Sequence, residues 1–187
     1  MSANISAQNK SEAFWNNRCE FKTDGTGKSL GLKIKLTFPC EWKQAKGDRP
    51  HVIQKFSLSL GEGKSLVQVL TILKMPNELS QKEREEILTQ NGLRQQVSNI
   101  GTFLSGRKIK IDGIDCGEVV IKIKRESPVA TINIYNIAYY IYFKDKIINL
   151  SFAAGAPTEA DAQTLFNSFK TLFQGLATNM VILSKWE

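Results

Sequence analysis

Histidine is almost missing from this chain: His51 is the only one in 187 residues. One imidazole cannot build a histidine-rich metal site, and a hydrolytic triad would have to rest on a residue beside Pro50 at the start of a strand-like run. A surface histidine is the simpler reading. Long apolar runs are missing too, since none approaches the roughly 18 residues that cross a bilayer as a helix, so no transmembrane segment is expected. A complete phosphate-binding loop is also lacking. Gly27-Lys28-Ser29 and Gly63-Lys64-Ser65 end like one, but Lys22 and Leu58 stand where its first glycine belongs, so both read as turns. Asp112, Asp115 and Glu118 recur every third residue without following a calcium-loop spacing. No nucleophile, base or metal set can be assembled, so the expectation is a non-enzymatic protein with no catalytic residues, no metal and no cofactor. A Cys116 thiol of depressed pKa in a cleft would reopen the case for an enzyme.

What the chain has is lysine. Lysine plus arginine at 25 against aspartate plus glutamate at 18 leaves a formal charge of +7 and a pI near 9.3. Such a charge keeps a protein in solution and steers anionic partners toward it. Nucleic-acid binding usually adds clustered arginines with stacking aromatics, and here the charge is lysine spread along strands. The expected partner is therefore another protein with an acidic surface, and nucleic acid is disfavoured.

Three strands carry the same phrase: Lys33-Ile34-Lys35, Lys108-Ile109-Lys110 and Lys122-Ile123-Lys124. Alternation in a strand sends both lysines of a phrase to one side and the isoleucine to the other. If the three strands share a sheet, Lys33, Lys35, Lys108, Lys110, Lys122 and Lys124 crowd one face, which is the expected partner-binding surface. The opposing reading is that these lysines solvate a sheet face or guard strand edges.

Period-two patterns predict strands over 32–38, 52–60, 66–73, 102–111, 118–125, 130–143 and 147–153, with a loop from Lys43 to Pro50. The 130–143 stretch is apolar or aromatic on both faces and should be internal to a sheet. Ser80-Gln81-Lys82-Glu83 forms a capping box that opens a helix to about Gln90, where Gly92 should stop it. Thr158 caps a second helix whose Leu165, Phe166, Phe169, Leu172 and Phe173 lay an aromatic stripe on a sheet.

Of three cysteines, Cys19 and Cys40 flank the segment 25–31. If these flanks pair as a hairpin, the two side chains meet and a disulfide is within reach, implying an oxidising compartment; otherwise they are two reduced thiols. Cys116 reads as a free structural thiol. Residues 1–13 are small and polar, without a basic or apolar signal segment. The chain is then periplasmic or secreted with its signal peptide already removed, or cytoplasmic.

Leu36-Thr37-Phe38-Pro39-Cys40-Glu41-Trp42 resembles the "yP..W" opening of the PsbP-like superfamily. Ile111-Asp112-Gly113-Ile114-Asp115-Cys116-Gly117 resembles its "i.G..G" approach to a long hairpin. Lys146 to Phe152 is similar to a later strand, and Phe166-Asn167-Ser168-Phe169-Lys170 to its closing "i..SF" helix. The motifs occur in family order from about Phe21 to Leu176. The resemblance implies an α+β single domain, a mostly antiparallel sheet sandwiched by helices (αβα), over 21–176, with a flexible lead at 1–20 and a tail at 177–187. It implies binding rather than catalysis, because members include an extrinsic photosystem II subunit, a Ran-binding import factor, bacterial envelope lipoproteins and effector chaperones. The expected function is a protein-binding or assembly accessory of a bacterial cell envelope. The alternatives are a small-ligand carrier, with a pocket between the central-strand tyrosines and the C-terminal helix, or a cytoplasmic effector chaperone.

Overall fold

The computed structural model describes residues 10–128 and 130–187. A helical turn pair at 10–16 (α1) precedes β1 (Arg18–Lys22) and β2 (Ile34–Pro39). Next come β3 (Lys43–Lys46), β4 (Val52–Gly61), β5 (Lys64–Lys74), α2 (Gln81–Ile87) and α3 (Gln90–Val97). Two long hairpins follow, β6 (Thr102–Ile111) with β7 (Ile114–Glu126) and β8 (Thr131–Phe143) with β9 (Lys146–Ala156). Helix α4 (Glu159–Thr178) and the short β10 (Val181–Ile182) end the fold.

The strands form one seven-stranded antiparallel sheet, ordered β3-β4-β5-β9-β8-β7-β6, and one three-stranded sheet, β1-β2-β10. The architecture is α+β in a single domain, as expected. On the inner face of the large sheet, the small sheet and α4 together close the main core. Leu36 and Phe38 of β2 and Phe169 and Phe173 of α4 join Phe56, Leu70 and Phe152 of the large sheet there. Local chemistry starts α4 and α2: the Thr158 hydroxyl accepts from the Asp161 N–H at 3.1 Å, and Ser80 with Glu83 completes the capping box.

Some expectations are corrected. The 43–50 segment is not all loop, because β3 adds to β4 from Lys43↔Ser57 to Lys46↔Gln54. Gly92 does not stop a helix. Thr89 caps a second one, its hydroxyl accepting from the Gly92 N–H at 3.1 Å, and Gly92 lies inside it. The expected tail is part of the fold, since β10 pairs with β2 and Ile182 is fully buried. Of the expected flexible lead, 1–9 lie outside the described residues, while Phe14 is 2% exposed and stacks on Phe169 at 5.9 Å. Apolar side chains at Phe14 and at Met180 to Leu183 give both segments a reason to dock.

Helices α2 and α3 cover the outer face of the large sheet at one end only. Their Leu88, Leu93 and Val97 pack on Val119 and Ile121 of β7 and Tyr142 of β8. Directly opposed residues in an antiparallel pair share a face. The register Ser57↔Val67↔Ala153↔Asn136 therefore puts these four on that same outer side, beyond the helices. All four are half-buried, and neither Val67 nor Val69 packs into either core cluster.

Candidate interaction surface

The six lysines do not share a face. Lys33 and Lys35 lie at β2 in the small sheet. The other four are on β6 and β7 of the large sheet, but on opposite sides of it. The two-residue Asp112-Gly113 turn, with φ of +49° and +75°, pairs Ile111 with Ile114 and hence Lys108 with Gly117 and Lys110 with Asp115. Gly117 and Asp115 have odd numbers, whereas Lys122 and Lys124 are even, so Lys108 and Lys110 face the α2 side and Lys122 and Lys124 the α4 side.

Each lysine also has a carboxylate. Lys33 meets Glu187 at 2.7 Å, Lys35 Glu20 at 3.3 Å, Lys122 Glu159 at 2.8 Å and Lys124 Glu126 at 2.6 Å. Lys108 and Lys110 share Asp115, each at 2.7 Å. Hydrogen bonds from these two ammonium groups hold the Asp115 carboxyl below its ordinary range, and Asp115 in turn raises Lys108. The Lys108–Asp115–Lys110 group borders a groove of about 480 Å³ between α2 and the β6–β7 turn, floored by Leu88 and Tyr142.

Chemistry elsewhere is spent on packing. Cys116 is buried, and burial with the nearby Glu118 and Asp115 charges pushes its thiol up to about 12, the reverse of an activated nucleophile. Glu118 is buried beside it, accepting from Arg107 Nε at 2.7 Å and from Gln174 Nε2 at 3.4 Å. His51 is exposed. The Lys28 ammonium donates to the carbonyl oxygens of Gly47 at 2.6 Å and Arg49 at 2.9 Å, tying down the 47–52 loop, so its Gly-Lys-Ser string is structural. Lys64 lies 3.5 Å from Asp161. No cluster of three or more metal-ligating side chains forms among the described residues. Between the central-strand tyrosines and α4, rings fill the space: Tyr135 meets Phe166 at 5.9 Å, and Phe152 stacks on Phe173 at 5.3 Å.

Cys19 and Cys40 are joined, with Cα atoms 4.9 Å apart. They are not directly opposed. Cys19 faces Phe38, and the Cys40 N–H bonds to the Asn17 carbonyl, so the bridge runs diagonally across the hairpin.

The surface that the lysine pattern missed is the bare outer face itself. Val67 and Val69 of β5, Ser151 and Ala153 of β9, and Ile134 and Asn136 of β8 form its centre, without one ionisable group. Its flanks carry Lys43 of β3, Lys55 of β4 and Arg125 of β7, which pair across the ladder with Ser57, Val69 and Ile132. None of these three flank cations forms an ion pair among the described residues, in contrast to the Lys-Ile-Lys lysines. The signal was present in sequence as uncharged residues on the polar phase of β5 and β9.

These features define a single α+β domain in which a seven-stranded antiparallel sheet carries a three-stranded sheet and a long helix on one face and two short helices on the other. LpqN, a Mycobacterium tuberculosis protein involved in cell envelope biogenesis, superposes over 92% of this chain and 95% of its own, with 13% identity and a TM-score of 0.50. PA94 of Pseudomonas aeruginosa, a protein of unknown function and putative regulator, matches over 88% and 96% with 11% identity and a TM-score of 0.49. The Saccharomyces cerevisiae Ran-binding protein Mog1p matches over 89% and 96% with 14% identity and a TM-score of 0.47. No protein family's profile matches the sequence, and no curated protein does. At such identity the likeness to LpqN is one of fold alone. No helix among the described residues is long and apolar enough to cross a membrane.

Proposed function

We propose that this protein is a non-enzymatic binding or assembly accessory of a bacterial cell envelope, descended from the PsbP-like superfamily and recognising another protein. The observation that carries the reading is the outer sheet face, left half open by α2 and α3 and free of ionisable groups at its centre. An open sheet face whose centre is uncharged, in a chain of net charge +7, is a contact surface for a partner. Of the original lysines, Lys108 and Lys110 lie on this side and supply a further contact at its α2 end. Lys33, Lys35, Lys122 and Lys124 point elsewhere and serve their own carboxylates. The Cys19–Cys40 bridge supports a periplasmic or secreted location, where disulfides persist.

Two measurements test this. Fractionation of the cells that make the protein should recover it outside the cytoplasm, with Cys19 and Cys40 resistant to alkylation until reduced. Chemical cross-linking in those cells should yield a discrete adduct with a different protein. Recovery from the cytoplasm with three alkylated cysteines removes the envelope reading; absence of any protein adduct removes the binding reading.

A further inference from the structure

We infer that the outer sheet face takes a folded partner protein whose contact patch has a small, weakly polar centre bordered by aspartate or glutamate. This rests on the binding reading above and adds the place and the chemistry.

Three properties select that occupant. The flank cations Lys43 and Lys55 on one side and Arg125 on the other form no ion pair of their own among the described residues, so they are free to meet carboxylates. The register places no carboxylate of this chain directly opposite the flank cations or the central residues; the flank cations face Ser57, Val69 and Ile132 instead. The centre mixes Val67, Val69 and Ile134 with Ser151 and Asn136, whose hydroxyl and amide need hydrogen-bonding partners once water is excluded. A protein surface supplies such partners; the hydrocarbon of a membrane does not.

A second copy of this chain fits poorly. Face-to-face pairing requires a two-fold axis in the contact plane. An axis across the strands sets the Lys43/Lys55 flank against itself, and an axis along them sets it against Arg125. Either way cations oppose cations. A partner with an acidic border meets attraction at the same positions.

The test uses the full chain in the cells that make it, with a photoreactive amino acid at Ala153, in the centre of the face, and separately at Thr171, on the exposed side of α4. Irradiation should give, from Ala153 and not from Thr171, one adduct with a different protein. Its cross-linked peptide should border on surface carboxylates in the partner. Lys43→Glu with Lys55→Glu should lower the yield at least tenfold while leaving the thermal midpoint within about 2 °C, and Lys43→Arg with Lys55→Arg should retain it. Raising salt from 0.05 to 0.5 M should lower the yield of the wild-type face in the same direction. An adduct of twice the chain mass, a lipid adduct, an unchanged yield in the charge-reversed variant, or no adduct from Ala153 each overturns the inference. An adduct only from Thr171 would do so while leaving a binding function standing; no adduct from either position, together with no protein adduct in the chemical cross-linking, removes both.

Discussion

Cys116 and Glu118 lie two positions apart on the same face of β7, and burial decides what each can do. The Cys116 thiol is raised from 9.0 to about 12, first by burial and then by the Glu118 and Asp115 charges. As pH rises the unfolded chain releases this proton before the folded one does. The stability tied to it is fully present below about pH 9 and is lost toward pH 12, at up to about 1.4 kcal/mol per unit. Tyr139 and Tyr142, raised above 10.0 by burial, add the same sign at the top of that window. Urea midpoints should therefore fall from pH 8.5 to 10.5, and Cys116→Ala should flatten the first part of the decline; a flat wild-type profile would contradict the burial argument. Glu118 depends on one guanidinium. Arg107→Met leaves a buried carboxylate with only Gln174 and the Tyr139 hydroxyl beside it and should cost about 1–3 kcal/mol, the exposed side of Arg107 reducing the loss, whereas Arg107→Met with Glu118→Leu should recover most of it. A loss under about 1 kcal/mol in the single variant would show that water reaches Glu118.

At the level of elements, the strands were legible because their evidence is local: alternation, a Gly-rich turn and a capping box each act within a few residues. The common lysine face was not, because it depends on parity across a hairpin. A two-residue turn at Asp112-Gly113 pairs even positions of β6 with odd positions of β7, which sends Lys108 and Lys122 to opposite sides. That parity could have been taken from the turn length, whereas the later shift between Phe103 and Ser105 could not. Gly92 misled for another reason. It reads as a helix stop, yet it sits in α3 where an added Cβ would come 2.5 Å from the carbonyl oxygens of Glu86 and Ile87. In an ordinary helix interior, alanine for glycine gains about 1 kcal/mol. Here Gly92→Ala should instead destabilise by about 1–3 kcal/mol in urea unfolding, since α2 and α3 must separate to admit it. A stabilised variant would mean that the close approach is not required. The open outer face follows from the same junction, because two short helices broken at Thr89 cover β6, β7 and only the near ends of β8 and β9.

Taken whole, the molecule depends on a long-range clasp. The bridge joins Cys19 of β1 to Cys40, just past β2 and two residues before the buried Trp42, and so holds the first strand and the α1 segment that carries Phe14 against the core. Cysteines 21 positions apart restrict the unfolded chain by a loop worth about 3 kcal/mol. Reduction should lower the urea stability by about that amount, and amide exchange should rise first in α1 and β1, while the β7–β8–β9 ladder stays protected. A thiol titration decides whether the clasp is closed in the protein as isolated. Of three cysteines, two in a bridge leave one, so the denatured, unreduced chain should titrate one thiol and the reduced chain three. The native chain should titrate none, because Cys116 is buried. Three thiols before reduction would open the clasp, remove the stability difference on reduction and withdraw the chemical support for an oxidising compartment. One thiol together with an unchanged urea midpoint after reduction would keep the bond but locate the stability of α1 in the Phe14, Trp42 and Phe169 contacts instead.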